Sequence, residues 1–182
     1  MNRNEIIGVV DDIYEEYEIS ELGFNLIDFC KKADIVLVPY SSFDDKMQTL
    51  VDVDEDGFNI INPSSNSCEI YYNDLIEPSQ RIKFTLPHEI GHIMLGHNQT
   101  FASETEEQKK EADLFANEFY CPQILIIYYN LLTVSKLIST FGITSSYAVV
   151  LLEKIKQGMC YEYSRNEKRL LEIFIKNNNG KK

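Results

Sequence analysis

Two histidines four residues apart, with a glutamate directly after the first, constrain this chain more than any other feature: His88-Glu89-Ile90-Gly91-His92. On an α-helix, positions four apart differ by about 40° in direction and about 6 Å in height, so both imidazoles leave one face. Two neutral imidazole nitrogens presented in this way reach one Zn²⁺ at about 2.0–2.1 Å. Glu89 sits beside them, placed to act as a general base on a water molecule. The chain holds only three histidines among 182 residues, and random order would produce this pattern roughly 0.005 times. Leu86, Ile90, Ile93, Met94 and Leu95 supply apolar contacts for a buried helix, and Gly96 can end it. Pro87 conflicts locally, because inside a helix it deletes a hydrogen bond and strains the preceding turn. Ile82, Lys83, Phe84 and Leu86 continue the helical pattern upstream, so a longer helix from Ser79, kinked at Pro87, is expected.

A catalytic zinc takes a third protein ligand and keeps one position open. The candidates are His97, Glu104, Glu106, Glu107, Glu111, Asp113 and Glu118. In the spacing H-E-x-x-H-x-x-G-x-x-H, glycine and the last histidine each stand one residue away from where Gly96 and His97 stand here. The next helix has Ala112, Phe115, Ala116 and Phe119 as its apolar face, and Glu111 borders that face, so Glu111 can project inward. Asp113 points about 200° away from Glu111, and Glu118 lies about 10 Å further along the axis. Glu111 is therefore the expected third ligand, with His97 as the alternative. His97 and Tyr72 are also candidates to stabilise the transition state or to support the ligands.

The length fits one domain, and the ordinary apolar and aromatic content fits a packed core. No apolar run approaches the ~18 residues of a membrane span, and the N-terminus lacks a secretory pattern. A cytoplasmic protein with reduced Cys30, Cys68, Cys121 and Cys160 is expected. The formal charge of −12 is uneven: residues 1–152 hold 9 basic and 25 acidic side chains, residues 153–182 hold 8 and 4. An acidic body repels nucleic acid and attracts basic protein partners. Residues 133–157 pair two helices, but the second has no basic residue before Lys154, so packing is expected there rather than DNA binding.

Along the chain, helices are expected near Glu5–Glu18 and Phe24–Ala33. Strands are expected at Ile35–Val38, Gln48–Val53, Phe58–Ile61 and Cys68–Tyr72. Ser103-Glu104-Thr105-Glu106 reads as a capping box for a helix reaching Tyr120. Further helices are expected at Val134–Thr140, from a cap at Thr144 or Ser145 to Gly158, and at Ser164–Lys176. The fold class is α+β: a zincin-like core over 1–122 with a small, mostly antiparallel sheet, a helical segment over 123–176, and a disordered tail at 177–182.

The run from Arg81 to His97 resembles the metal helix of the ImmA/IrrE family of metallopeptidases. So does Glu111-Ala112-Asp113-Leu114-Phe115-Ala116, closed by Pro122. Cys68–Asn73 resembles the strand before that helix, and Phe141-Gly142-Ile143-Thr144 with Tyr147-Ala148 resembles the family's C-terminal helical segment. The resemblance implies a gluzincin-like zinc site of His88, His92 and Glu111, with Glu89 as base. Mn²⁺ and Fe²⁺ suit similar ligands. It also implies a helix-turn-helix repressor as the protein substrate that is cleaved; the alternative reading is a metal-binding regulator that binds and inactivates a repressor without cleaving it. The chain departs from the family in Pro87, in Phe119-Tyr120-Cys121, and in the aromatic and aliphatic stretch 123–129; none of these removes a ligand.

Overall fold

The computed structural model describes residues 1–43, 46–97, 104–158 and 162–180. By internal contacts the chain divides into two units, Met1–Phe24 with Leu114–Lys182, and Asn25–Asp113. The division falls within a helix rather than at Pro122, and the first helix groups with the C-terminal ones.

The unit Asn25–Asp113 is α+β. Its elements are α2 (Leu26–Lys32), β1 (Ile35–Pro39), α3 (Met47–Val53), β2 (Gly57–Ile61), β3 (Cys68–Tyr72), α4 (Ile82–Met94) and the start of α5 (Glu106–Tyr120). The sheet has the order β1-β3-β2. β1 runs parallel to β3, with Leu37 opposite Ile70, and β2 runs antiparallel to β3, with Asn59 opposite Ile70. The sheet is thus mixed, not mostly antiparallel.

The cause is α3, which occupies the stretch expected as the strand Gln48–Val53. Leu50, Val51 and Val53 among polar neighbours fit either period. The Gln48 amide donates to Asp52 at 2.9 Å, four residues on, which favours the helix. The Asp54 carboxylate then accepts from the amides of Asp56 and Gly57 at 2.9 and 3.0 Å, a turn that launches β2. Gly57 is required by close approach. A Cβ there would lie 2.8 Å from the Tyr71 carbonyl and 3.1 Å from the Thr85 side chain, so a larger residue would separate β2 from α4.

α4 follows a 3₁₀ turn at Ser79–Arg81 and runs through Pro87 to Met94. The expected helix start at Ser79 is therefore a tighter turn that hands over to the α-helix at Ile82. Leu95 closes α4 and Gly96 leaves it at φ +71°. At α5, Ser103 lies outside the described residues. The capping box seen there pairs Thr105 with Gln108: Thr105 Oγ1 accepts the Gln108 amide at 3.2 Å and Gln108 Oε1 accepts the Thr105 amide at 3.0 Å.

The other unit is helical: α1 (Arg3–Glu16), the rest of α5, α6 (Gln123–Tyr128), α7 (Val134–Phe141), α8 (Ser145–Gly158) and α9 (Arg165–Asn179). Its core is aromatic, with Tyr14, Phe119, Tyr120, Phe141 and Phe174 all buried. The hydroxyls of Tyr14 and Tyr120 donate to the carbonyls of Phe119 and Phe141 at 2.8 and 2.9 Å, so these rings are buried without orphaned polar atoms. Cys121 is buried in this unit as a small apolar group. α9 continues past the expected end at Lys176, because Asn177 donates to the carbonyls of Tyr14 and Ile19, and Asn178 to that of Ser20. Lys181 and Lys182 lie outside the described residues. Among the described residues no single helix is long and apolar enough to cross a membrane.

Candidate metal centre

α4 brings His88 and His92 onto one face, and their Nε2 atoms stand 3.1 Å apart. Glu104, just before α5, places Oε1 2.6 Å from His92 Nε2 and 3.8 Å from His88 Nε2. The three donor atoms lie within 4.8 Å of one another, a group that can hold a metal ion. Zinc ligands at about 2.0–2.1 Å in tetrahedral array stand about 3.3–3.4 Å apart, so the histidine pair fits. His92 is nearly buried and His88 mostly so, their side chains 5% and 18% exposed.

Glu89 projects toward β2, where the Asn59 side-chain amide donates to its Oε2. Burial pushes the Glu89 carboxyl up to about 7, against the opposing pull of the Asn59 hydrogen bond and of His88. Burial, with the charges of His88 and His97, pulls His92 down to about 4, which keeps that imidazole neutral and its lone pair available. Burial also lowers His88, but the hydrogen bond to Asp113 and the charges of Glu89, Asp113 and Glu104 outweigh it and leave His88 raised. These groups line a cleft of about 760 Å³ walled by β2 and α4, with Phe58, Ile60 and Phe84 as its apolar side.

The expected residues fall into place unevenly. His88, Glu89 and His92 come together. Glu111 does not join the His88–His92–Glu104 group: its Oε2 lies 3.0 Å from His97 Nε2. His97 also meets His92, Nδ1 to Nδ1 at 3.0 Å, so both its ring nitrogens are engaged away from the group. Asp113, expected at the surface, has a half-exposed side chain and also meets His88 Nδ1 at 2.9 Å. Glu118 belongs to the helical unit, paired with Arg3 at 2.6 Å. Tyr72 is not among the residues lining the cleft. It pairs with Gly57, one pleat beyond Asn59, and its hydroxyl is raised by burial, Asp74 and Cys30. Sequence reasoning counted Glu104 among the candidates but favoured Glu111, because Glu104 precedes the helix cap, where the helical period no longer sets direction. It missed Asn59 because a single strand amide carries no motif.

No curated protein in the comparison matches the chain. A family match does exist: residues 30–145 match the IrrE N-terminal-like domain, a peptidase family. The match spans the whole sheet, the cleft, α4 and α5, and it agrees with the α+β fold around them. The chain belongs to the IrrE N-terminal-like peptidase family, the same ImmA/IrrE group that residues 81–122 resemble.

Proposed function

We propose that the chain is a zinc-dependent endopeptidase whose substrate is a basic helix-turn-helix repressor. The observation that carries this reading is the convergence of His88 Nε2, His92 Nε2 and a carboxylate oxygen on one point, with Glu89 beside it in a cleft. Nitrogen and oxygen donors of this kind suit Zn²⁺, which when bound supplies Lewis-acid polarisation of a peptide carbonyl and of water. Glu89 takes the proton of the attacking water and passes it to the leaving amine nitrogen. Asn59 holds the Glu89 carboxylate in position for both transfers. β2 pairs with β3 along one edge, while residues of β2 line the cleft, so an extended substrate segment can lie along the other edge. The acidic body complements a basic DNA-binding partner.

The test is incubation of the purified chain and zinc with the repressor encoded by an adjoining gene, with Glu89→Gln as control. A discrete cut that disappears in the variant supports the reading. Full release of the repressor's target genes by Glu89→Gln overturns proteolysis and favours inactivation by binding alone.

The third donor has two readings. Glu104 fills the position in the arrangement seen. Glu111 is the ligand that the family resemblance implies, and it stands one imidazole behind His92. Zinc content of Glu104→Gln and Glu111→Gln separates them: the variant that loses its zinc names the ligand.

A further inference from the structure

We infer that Lys109 is a further catalytic residue, whose ammonium donates a hydrogen bond to the oxyanion formed when water adds to the scissile carbonyl. This rests on the peptidase reading above. Attack by the water oxygen pushes the carbonyl electron pair onto oxygen while Glu89 takes the water proton, and a donor aimed at that growing charge lowers the barrier. The two residues that the sequence offered for this task are badly placed. His97 has both ring nitrogens engaged, by Glu111 and by His92 at 3.0 Å each, and Tyr72 does not line the cleft. Neutral side chains in the cleft are spent elsewhere. The Asn59 amide donates to Glu89, the Thr85 hydroxyl donates to the Arg81 carbonyl at 3.3 Å, and Gln108 is held at the Thr105 cap. Lys109 is the one lysine or arginine among the described residues that line the cleft, where Asp54, Asp56, Glu89 and Glu104 supply carboxylates.

Its placement fits the task. Lys109 Nζ stands 3.8 Å from Glu104 Oε2, and the other oxygen of that carboxylate stands 2.6 Å from His92 Nε2. The ammonium is thus one carboxylate away from the point where the histidine nitrogens converge. A separation of 3.8 Å exceeds hydrogen-bond length, so the Glu104 pairing leaves N–H donors for a substrate oxygen. The side chain is half-exposed, and its flexible stem can follow that oxygen as the carbonyl carbon becomes tetrahedral. The helix itself does not favour the residue. The Lys109 amide makes the rung to the Thr105 carbonyl at 3.0 Å in the first turn of α5, where the helix dipole opposes a cation. Lys109 stays protonated throughout: when the electron pair returns to carbon and the C–N bond breaks, the hydrogen bond only relaxes.

The experiment compares the full chain with Lys109→Met and Lys109→Arg. On the repressor of the test above, Lys109→Met is expected to lower kcat about 100-fold with KM within about twofold of the parent. Lys109→Arg, which keeps a cationic donor, recovers most of that loss. Two readouts do not depend on turnover. Zinc affinity, competed against a chromophoric chelator, stays within about twofold in Lys109→Met. Calorimetric titration of the zinc-loaded chain with inorganic phosphate, a tetrahedral oxyanion, shows affinity falling about tenfold in Lys109→Met and recovering in Lys109→Arg. Unchanged kcat and phosphate affinity in Lys109→Met overturn the assignment. So does a tenfold loss of zinc affinity, which would make Lys109 a support for Glu104 alone, and so does a raised KM at constant kcat. A parent chain that binds zinc but cuts nothing overturns the peptidase reading instead, and the phosphate titration then decides whether Lys109 receives an oxyanion at this centre.

Discussion

Arg3 Nη2 lies 2.6 Å from Glu118 Oε1, joining the first turn of α1 to the buried second half of α5. The same guanidinium reaches Glu167 of α9 at 3.1 Å. Both carboxylates are about 5% exposed, so one cation neutralises two buried anions. Arg3→Met is expected to cost about 2–3 kcal/mol of stability in urea titration. That is below the ~3–5 kcal/mol of a fully buried pair, because Arg3 itself is 39% exposed. A loss under about 0.5 kcal/mol would show that the cluster is structurally idle.

Asp11 is fully buried on α1, and neither carboxylate oxygen has a hydrogen-bond partner. Arg169 Nη1 approaches to 3.7 Å. Burial pushes this carboxyl up to about 7, with Arg169 pulling it down and Asp12 and Glu15 adding to the rise. The folded chain therefore binds more protons at this site than the unfolded chain, and stability falls as pH climbs from about 4 to about 7. Asp11→Asn removes that slope. The variant is expected to exceed the parent by roughly 2–4 kcal/mol at pH 8, with the gap closing as pH is lowered to 5. Equal denaturation midpoints at pH 8 would contradict this.

Gly23 has φ +64°, and a Cβ there would sit 2.2 Å from the Thr140 carbonyl oxygen. Gly23→Ala meets both a left-handed backbone penalty and backbone overlap, so about 3 kcal/mol or more should be lost. Thermal melting checks it, and a midpoint within a degree of the parent would refute the close approach.

Zinc should stabilise the folded chain through the histidine pair. At free zinc about 1,000-fold above its dissociation constant, linkage gives about 4 kcal/mol, visible as a rise in melting temperature that a chelator reverses. His88→Ala is expected to abolish the rise. A shift that survives in this variant places the zinc elsewhere.

The sequence made the centre legible where periodicity and chemistry coincide. His88, Glu89 and His92 share a helix whose apolar residues demand burial, so spacing alone implied their geometry. β1, β2 and β3 were legible from short β-branched runs bounded by turn residues. The parallel β1–β3 pairing was not, because it depends on α3 taking residues 47–53, where helix and strand periods both fit. Asp113 is half-exposed, as expected, but its contact with His88 was not legible, for a different reason. Its angular offset from Glu111 is real, but α4 lies where His88 can meet it, and such a neighbour is visible only in three dimensions.

Pro87 divides the labour along α4. Lacking an amide hydrogen, it omits the helical rung back to Lys83, and that omission falls before His88 rather than between His88 and His92. The turn from His88 to His92 is unbroken. Phe84 and Thr85, on the other side of the proline, belong to the wall of the cleft. The missing rung is therefore confined to the half of the helix that precedes the imidazoles, and the spacing of His88 and His92 rests on the regular turn that follows it.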